Sequence, residues 1–193
     1  MSWNDYFEKI KNRPVRALLL NALKEVSNEM PKTAIELGSG PGVDTLHLLN
    51  YGWTVTAVEK ESEGIKILKN NLTADQSSRL SVIESEFEKL TSLPTASLIY
   101  AALSLPFCKS EAFPEFWKVI EASFAKECVF AANFFGPEDE WVKNGHCTGH
   151  SESQIREMLK SFPIFKISED KGMGKTAIGP DKFWHVYHII AKR

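Results

Sequence analysis

Glu36 stands two residues ahead of a run in which glycine occupies every second position, Gly38-Ser39-Gly40-Pro41-Gly42. Glycine allows left-handed backbone angles and close approaches that a Cβ forbids. A ligand can therefore lie against the main chain at this turn. Residues 43–50 read as a helix whose first N–H groups, unpaired and at the positive end of the helix dipole, would face the same ligand. A carboxylate at such a turn discriminates: it repels a pyrophosphate and attracts a cation. Glu59, at the end of the β-rich segment 53–59, is placed to accept a pair of ribose hydroxyls.

Two cofactors compete for this pattern. The dinucleotide fingerprint is G-x-G-x-x-G/A, with the pyrophosphate on the helix N-terminus. Here the third small position is filled by Val43, so the spacing fails. S-adenosylmethionine carries an ammonium and a sulfonium, and Glu36 suits both. Glu59 suits either cofactor and does not discriminate.

The elements that must position these residues alternate along the chain. Residues 14–28 read as an amphipathic helix with Pro14 in its first turn. The segments 32–37, 53–59, 80–83, 96–101 and 128–133 read as strands. Between them 43–50, 62–72 and 113–125 read as helices, and 151–162 is a helix with a capping box of Ser151 and Gln154. The wholly apolar run 96–101 is that of a strand buried on both faces. The segments 164–168 and 183–191 have no helix between them and read as an antiparallel hairpin around a Gly-rich loop at 172–180. The expected fold is α/β: a Rossmann-like, doubly wound, mostly parallel seven-stranded sheet with a C-terminal antiparallel hairpin and helices on both faces. Ligands of such sheets sit beyond the carboxyl ends of the strands, at the switch point.

Glu36-Leu37-Gly38-Ser39-Gly40-Pro41-Gly42, followed by Glu59, resembles the first two motifs of class I S-adenosylmethionine-dependent methyltransferases. The order of elements and the terminal hairpin match that family as well. More narrowly, the segments Phe134-Phe135-Gly136-Pro137-Glu138-Asp139-Glu140-Trp141 and Phe183-Trp184-His185-Val186-Tyr187-His188 resemble small stand-alone bacterial methyltransferases of the tellurite-resistance type. The resemblance implies that Glu36 and the backbone of Gly38, Ser39, Gly40 and Gly42 hold the methionine end and ribose of S-adenosylmethionine. It also implies that Glu59 takes the ribose hydroxyls with Lys60 beside the adenine, that Glu86 and Phe87 flank the adenine, and that Ala101 and Ala102 border the point of transfer. Arg13 and Tyr6 would close the N-terminal segment over the cofactor carboxylate.

The acceptor leaves a fainter trace. Family members acting on exocyclic base amines carry an Asn/Asp-Pro-Pro-aromatic motif where this chain has Ala101-Ala102-Leu103-Ser104-Leu105-Pro106-Phe107, so methylation of DNA bases is disfavoured. Phe107, Phe135, Trp141 and Trp184 can wall a pocket for a small-molecule acceptor. His185, His188 and His150 are the candidate bases, each with an ordinary structural reading beside it. His146, Cys147 and His150 hold metal-capable atoms, but a zinc site needs a fourth ligand, and no metal is expected. Gly172-Met173-Gly174-Lys175-Thr176 imitates the end of a phosphate-binding loop, yet Glu169 stands where its first glycine belongs; a mobile hairpin loop over the acceptor is the expectation.

Composition sets the outer bounds. The 193 residues carry a formal charge of −2, with 43% hydrophobic side chains, as in an ordinary globular protein. One domain is expected over 1–193, with 1–30 as a helical segment capping the cofactor site. No basic field argues for nucleic acid, and no apolar run approaches the ~20 residues of a membrane span. Three cysteines argue against a disulfide framework and for the cytoplasm. The oligomeric state, monomer or homodimer, is left open. A nicotinamide-dependent oxidoreductase and a non-enzymatic module that binds S-adenosylmethionine are the alternative functions.

Overall fold

A computed structural model describes residues 3–193. The strands are β1 (Thr33–Leu37), β2 (Thr54–Glu59), β3 (Leu80–Glu84), β4 (Ala96–Ala101), β5 (Phe124–Phe135), β6 (Ile164–Gly174) and β7 (Lys182–Lys192). They form one sheet in the order β3-β2-β1-β4-β5-β7-β6. The pairs β1–β2, β1–β4, β2–β3 and β4–β5 are parallel, whereas β7 runs antiparallel to both β5 and β6. The chain turns back on itself between β1 and β4, so the crevice expected for an open α/β sheet lies beyond Leu37 and Ala101.

Alternation along the strands divides the core in two. Ile35, Leu37, Ile99, Ala101, Phe130 and Ala132 pack on one side, with Phe116 and Ile120 of α6 (Phe113–Ala122) and Ile155 of α8 (Glu152–Met158). Ala34, Leu98, Tyr100, Val129 and Ala131 pack on the other, with Leu19 and Ala22 of α2 (Ala17–Leu23) and Leu48 and Leu49 of α3 (Val43–Asn50). Every residue of β4 is buried, as its composition requires. The same alternation places Glu36 opposite Ile35, on the side of α3.

Several boundaries differ from the sequence expectation. The helix expected over 14–28 is only α2; Arg16 before it is extended, at φ −68 and ψ 137, because Pro14 restricts the chain and Asp44 captures the segment. The N-terminal part instead begins with α1 (Trp3–Ile10). Helix α4 (Ser62–Asn70) falls where expected. The short α5 (Ala74–Ser78), with its Thr73–Gln76 capping box, and α7 (Glu140–Lys143) carry too few apolar residues for periodicity to expose them. The Ser151–Gln154 capping box is formed. β5 begins at Phe124, and β6 runs to Gly174, so that Gly172, Met173 and Gly174 pair with Trp184, Phe183 and Lys182. The edge strand β6 is exposed over most of its length; only Phe165 and Ile167 alternate inward onto the core, and past Ser168 β7 imposes its extension. The connecting loop shrinks to 175–181.

Among the described residues no helix is long and apolar enough to cross a membrane.

Candidate functional site

A cleft of about 710 Å³ opens at the carboxyl ends of β1, β2 and β4. Its volume is that of pockets holding drug-sized ligands. The glycine turn forms its floor. Gly38 has φ +76 and Gly42 φ +82, angles that L side chains rarely adopt. A Cβ on Gly38 would lie 2.4 Å from Ser104 Cβ, and one on Gly42 would lie 2.4 Å from Leu68 Cδ1. Gly38 thus lets β4's exit approach the turn, whereas Gly42 serves the packing of α4 and does not line the cleft.

Glu59 ties the turn to the end of β2. Its Oε2 accepts the N–H of Gly40 at 2.7 Å, and its Oε1 accepts the N–H groups of Lys60 at 2.9 Å and Glu61 at 3.0 Å. The N–H groups of Gly38 and Ser39 bond Val58 O at 2.8 and 3.1 Å. Burial pushes the Glu59 carboxyl up from its ordinary value, and the three backbone donors pull against that. One lone-pair direction on Oε2 stays free of protein donors, and the carboxylate faces the cleft.

Glu36 is 3% exposed. Burial and the charge of Asp44 push its carboxyl up to about 8, against the hydroxyl of Thr45 and the nearby charges of Arg13 and Arg16. The Thr45 hydroxyl donates to Glu36 Oε2. Asp44, in the first turn of α3, is wholly buried. It accepts from Arg13 Nη1 at 3.0 Å and Nη2 at 2.7 Å, from the Arg16 N–H at 3.1 Å and from the Tyr100 hydroxyl at 3.0 Å. Sequence reasoning passed over Asp44, because an acid in the first turn of a helix is commonplace. Its buried network pins the segment after α1 across the mouth of the glycine turn. Arg16, also unforeseen, lines the same wall.

The expected cofactor residues Glu36, Gly38, Ser39, Gly40, Glu59, Lys60, Glu86, Phe87 and Ala102 meet in this cleft. Phe87 stacks on Phe116 at 4.7 Å between centroids. Glu86 is at the mouth, paired with Lys89 at 3.0 Å, which lowers its pKa. Ala101 is not brought in: it belongs to the opposite face of β4 and is buried under α6. Leu103 lines the cleft with a left-handed φ of +55, its N–H bonded to Asn133 Oδ1 at 3.2 Å.

Tyr6, Arg13, Phe107, Phe135, Trp141 and Trp184 line the cleft too. Trp3, which sequence reasoning missed, extends this aromatic side: its ring lies 5.5 Å from Phe107, and Lys60 Nζ stands 5.5 Å from its centroid. Trp3 and Phe7 are one helical turn apart on α1, a spacing that marks a common face. The loop after β6 adds Lys175, Thr176, Ala177 and Ile178, so the Gly-rich segment does border the site, through the residues beyond its glycines.

None of the three candidate bases lines the cleft. His185 is 1% exposed; its Nε2 bonds Glu169 at 2.8 Å, and its Nδ1 accepts the Glu138 N–H at 3.2 Å. The ring occupies the space a Cβ on Gly136 would need. His150 is packed against Phe113 and Phe134 at 4.4 and 5.4 Å, and burial pushes its pKa down to about 4. His188 bonds Asn133 at 2.9 Å and Asp170 at 2.9 Å. All three do structural work.

A family model described as tellurite resistance protein TehB matches residues 1–174. The chain belongs to the TehB family. With that family it is an S-adenosylmethionine-dependent methyltransferase, and S-adenosylmethionine is its cofactor; the oxidoreductase alternative gives way. Among solved structures it is similar to TehB from Haemophilus influenzae at 17% identity, with a TM-score of 0.77, 100% of this chain covered and 67% of the other. It is also similar to a complex of DhpI with S-adenosylmethionine and HEP (15% identity, TM-score 0.58, 91% and 84% covered). A methyltransferase from Mesorhizobium loti that depends on S-adenosylmethionine matches at 10% identity and a TM-score of 0.64, with 90% and 96% covered. These likenesses establish the fold that TehB-family members share with other methyltransferases. A search of curated protein sequences finds no match.

The cleft's chemistry fits the cofactor. Among the described residues two buried polar side-chain atoms lack a hydrogen-bond partner, Ser39 Oγ and Arg13 Nε. Both residues line the cleft beside the glycine turn, where a bound polar group can satisfy them. The same wall offers guanidinium groups in Arg13 and Arg16 and carboxyl groups in Glu36 and Glu59, as a ligand with a carboxylate, an ammonium and ribose hydroxyls requires.

Proposed function

We propose that this chain transfers a methyl group from S-adenosylmethionine to a small-molecule acceptor, and that residues 1–193 act as one domain. The observation that carries the reading is the clamp of Glu59 on Gly40, with unpartnered Ser39 Oγ and Arg13 Nε in the same wall. Bound there, S-adenosylmethionine supplies a methyl group on an electrophilic sulfonium. Glu59 would hold the ribose hydroxyls, Ser39 and the backbone of Gly38 and Gly40 the methionine end, Arg13 and Arg16 its carboxylate, and Glu36 its ammonium. Lys60, Glu86 and Phe87 would flank the adenine, with Ala102 beside the reacting centre. Tyr6, Phe107, Phe135, Trp141 and Trp184 would wall the acceptor.

The described lining contains no histidine, which favours an acceptor that arrives with its nucleophile already unprotonated. Such a reaction needs alignment more than proton transfer. The family's name adds tellurite to the acceptors worth trying.

Calorimetry with S-adenosylmethionine tests the cofactor half, and Glu59→Ala should weaken binding at least tenfold without unfolding the chain. Unchanged affinity would remove Glu59 from the site. Transfer of labelled methyl groups to a panel of thiolates, carboxylates and tellurite tests the acceptor half; labelling confined to a macromolecule in a cell extract would overturn it.

A further inference from the structure

The aromatic side of the cleft has a charge behind it. Lys182 Nζ lies 3.9 Å from the ring centroid of Trp184, 4.4 Å from Trp141 and 4.9 Å from Phe135. The three rings line the cleft and the lysine does not. Its side chain is 2% exposed and pairs with Asp139, which is wholly buried. Asp139 in turn accepts the Trp141 N–H at 3.0 Å and the His185 N–H at 3.1 Å. The Trp184 indole donates to Gly174 O at 3.1 Å, so each tryptophan of the group is tethered.

A methionine would fill this volume without the desolvation that a buried ion pair suffers. The pair therefore does more than occupy space. An ammonium over an aromatic face fixes that ring's orientation and draws on its π density. A second cation approaching the same rings from the cleft meets π density already engaged by the ammonium.

We propose that Lys182 is a positioning and specificity-determining residue of the acceptor subsite. Anchored by Asp139, it holds Phe135, Trp141 and Trp184 as a fixed wall that takes planar acceptors of neutral or negative charge and rejects cationic ones. This rests on the reading that the cleft holds S-adenosylmethionine beside the acceptor.

The test uses the whole chain loaded with S-adenosylhomocysteine and two planar probes that quench tryptophan fluorescence, 4-nitrothiophenolate and 4-nitrobenzyltrimethylammonium. The wild-type chain should bind the anion saturably and the cation at least tenfold more weakly. Lys182→Met combined with Asp139→Asn, which removes both charges together, should erase most of that preference while S-adenosylhomocysteine affinity, measured by calorimetry, stays within twofold. Lys182→Arg should retain the preference, and with the wild-type ratio it decides the matter if the double variant does not fold. No saturable quenching in the wild-type chain, a preference for the cation, or an unaltered preference in the double variant would overturn the proposal. So would a parallel loss of probe and S-adenosylhomocysteine affinity, the mark of a merely structural residue. Failure of the wild-type chain to bind S-adenosylhomocysteine would instead strike the cofactor reading.

Discussion

Arg13 grips Asp44 through both terminal nitrogens, at 3.0 and 2.7 Å, across 31 residues of sequence. The pair joins the segment after α1 to the first turn of α3, the helix that follows the glycine turn. Bidentate geometry of this kind is specific to arginine. Asp44→Asn removes the charge that compensates Arg13 and weakens the bonds to Arg16 and Tyr100. Breaking one side of a buried pair costs about 3–5 kcal/mol, and urea unfolding should report a loss of that order. Arg13→Lys should cost less in stability yet weaken S-adenosylmethionine, because a point charge cannot bridge Asp44 and the cleft. An Asp44→Asn chain as stable as the parent would show that the network contributes nothing.

Glu36 should make cofactor binding depend on pH. Its carboxyl is pushed up to about 8 by burial and by Asp44, so below that pH the empty site holds it protonated. A cofactor ammonium needs the ionised form. Affinity should therefore rise by up to about tenfold per unit as pH increases toward 8 and level off above it. Isothermal titrations from pH 6.5 to 8.5 read this directly. Glu36→Gln should bind more weakly and lose the slope; a slope surviving in the variant would assign it to another group.

Gly38 and Gly52 separate two costs that a glycine can hide. Both have a left-handed φ, +76 and +79. A Cβ on Gly52 meets nothing within 4 Å, whereas one on Gly38 runs into Ser104. Gly52→Ala should cost about 1–2 kcal/mol from backbone strain alone. Gly38→Ala should cost clearly more and abolish cofactor binding, because Ser104, whose hydroxyl holds Leu37 O at 2.5 Å, must move. Equal losses for the two variants in thermal melts would mean that the approach of Ser104 is unimportant.

His150 should make the fold acid-sensitive. Burial drops its pKa from the ordinary 6.5 to about 4, so the unfolded chain binds the proton more tightly. The stability is fully present above pH 6.5 and is lost as pH falls from there toward 4. The shift corresponds to about 3 kcal/mol at its limit. Urea midpoints of the parent and of His150→Leu, taken between pH 7.5 and 4.5, should diverge as the parent weakens. Parallel curves would place the acid sensitivity elsewhere.

Strands β1 to β4 were legible because each is short, rich in apolar or β-branched residues and bounded by turn residues, and helix α4 between them keeps Ile65 and Leu68 at helical spacing. Where a segment borrows its form from a neighbour, local pattern had nothing to report. The residues of β6 past Ser168 are polar and glycine-rich, and they are extended because β7 supplies their hydrogen bonds. Helix α1 was missed although Trp3, Tyr6, Phe7 and Ile10 carry its inward face, because it is short and its other residues are polar.

The residues expected around the glycine turn meet in one cleft because they are nearly contiguous: Glu36 through Gly40 form one turn, and Glu59 ends the next strand. Two other expected residues, Gly42 and Ala101, lie outside the cleft and serve packing instead, Gly42 against Leu68 and Ala101 through the parity of β4. The histidines looked like bases because a sequence reports side-chain type and says nothing of burial. The sequence by itself determined the fold class, the family and most of the residues that meet around the glycine turn, since those rest on local spacing. Only the tertiary structure decided that Asp44 locks the N-terminal segment in place, that the histidines stand outside the cleft, and that Lys182 backs three aromatic rings. Each of those relations joins residues far apart along the chain, and no local pattern records a contact made at a distance.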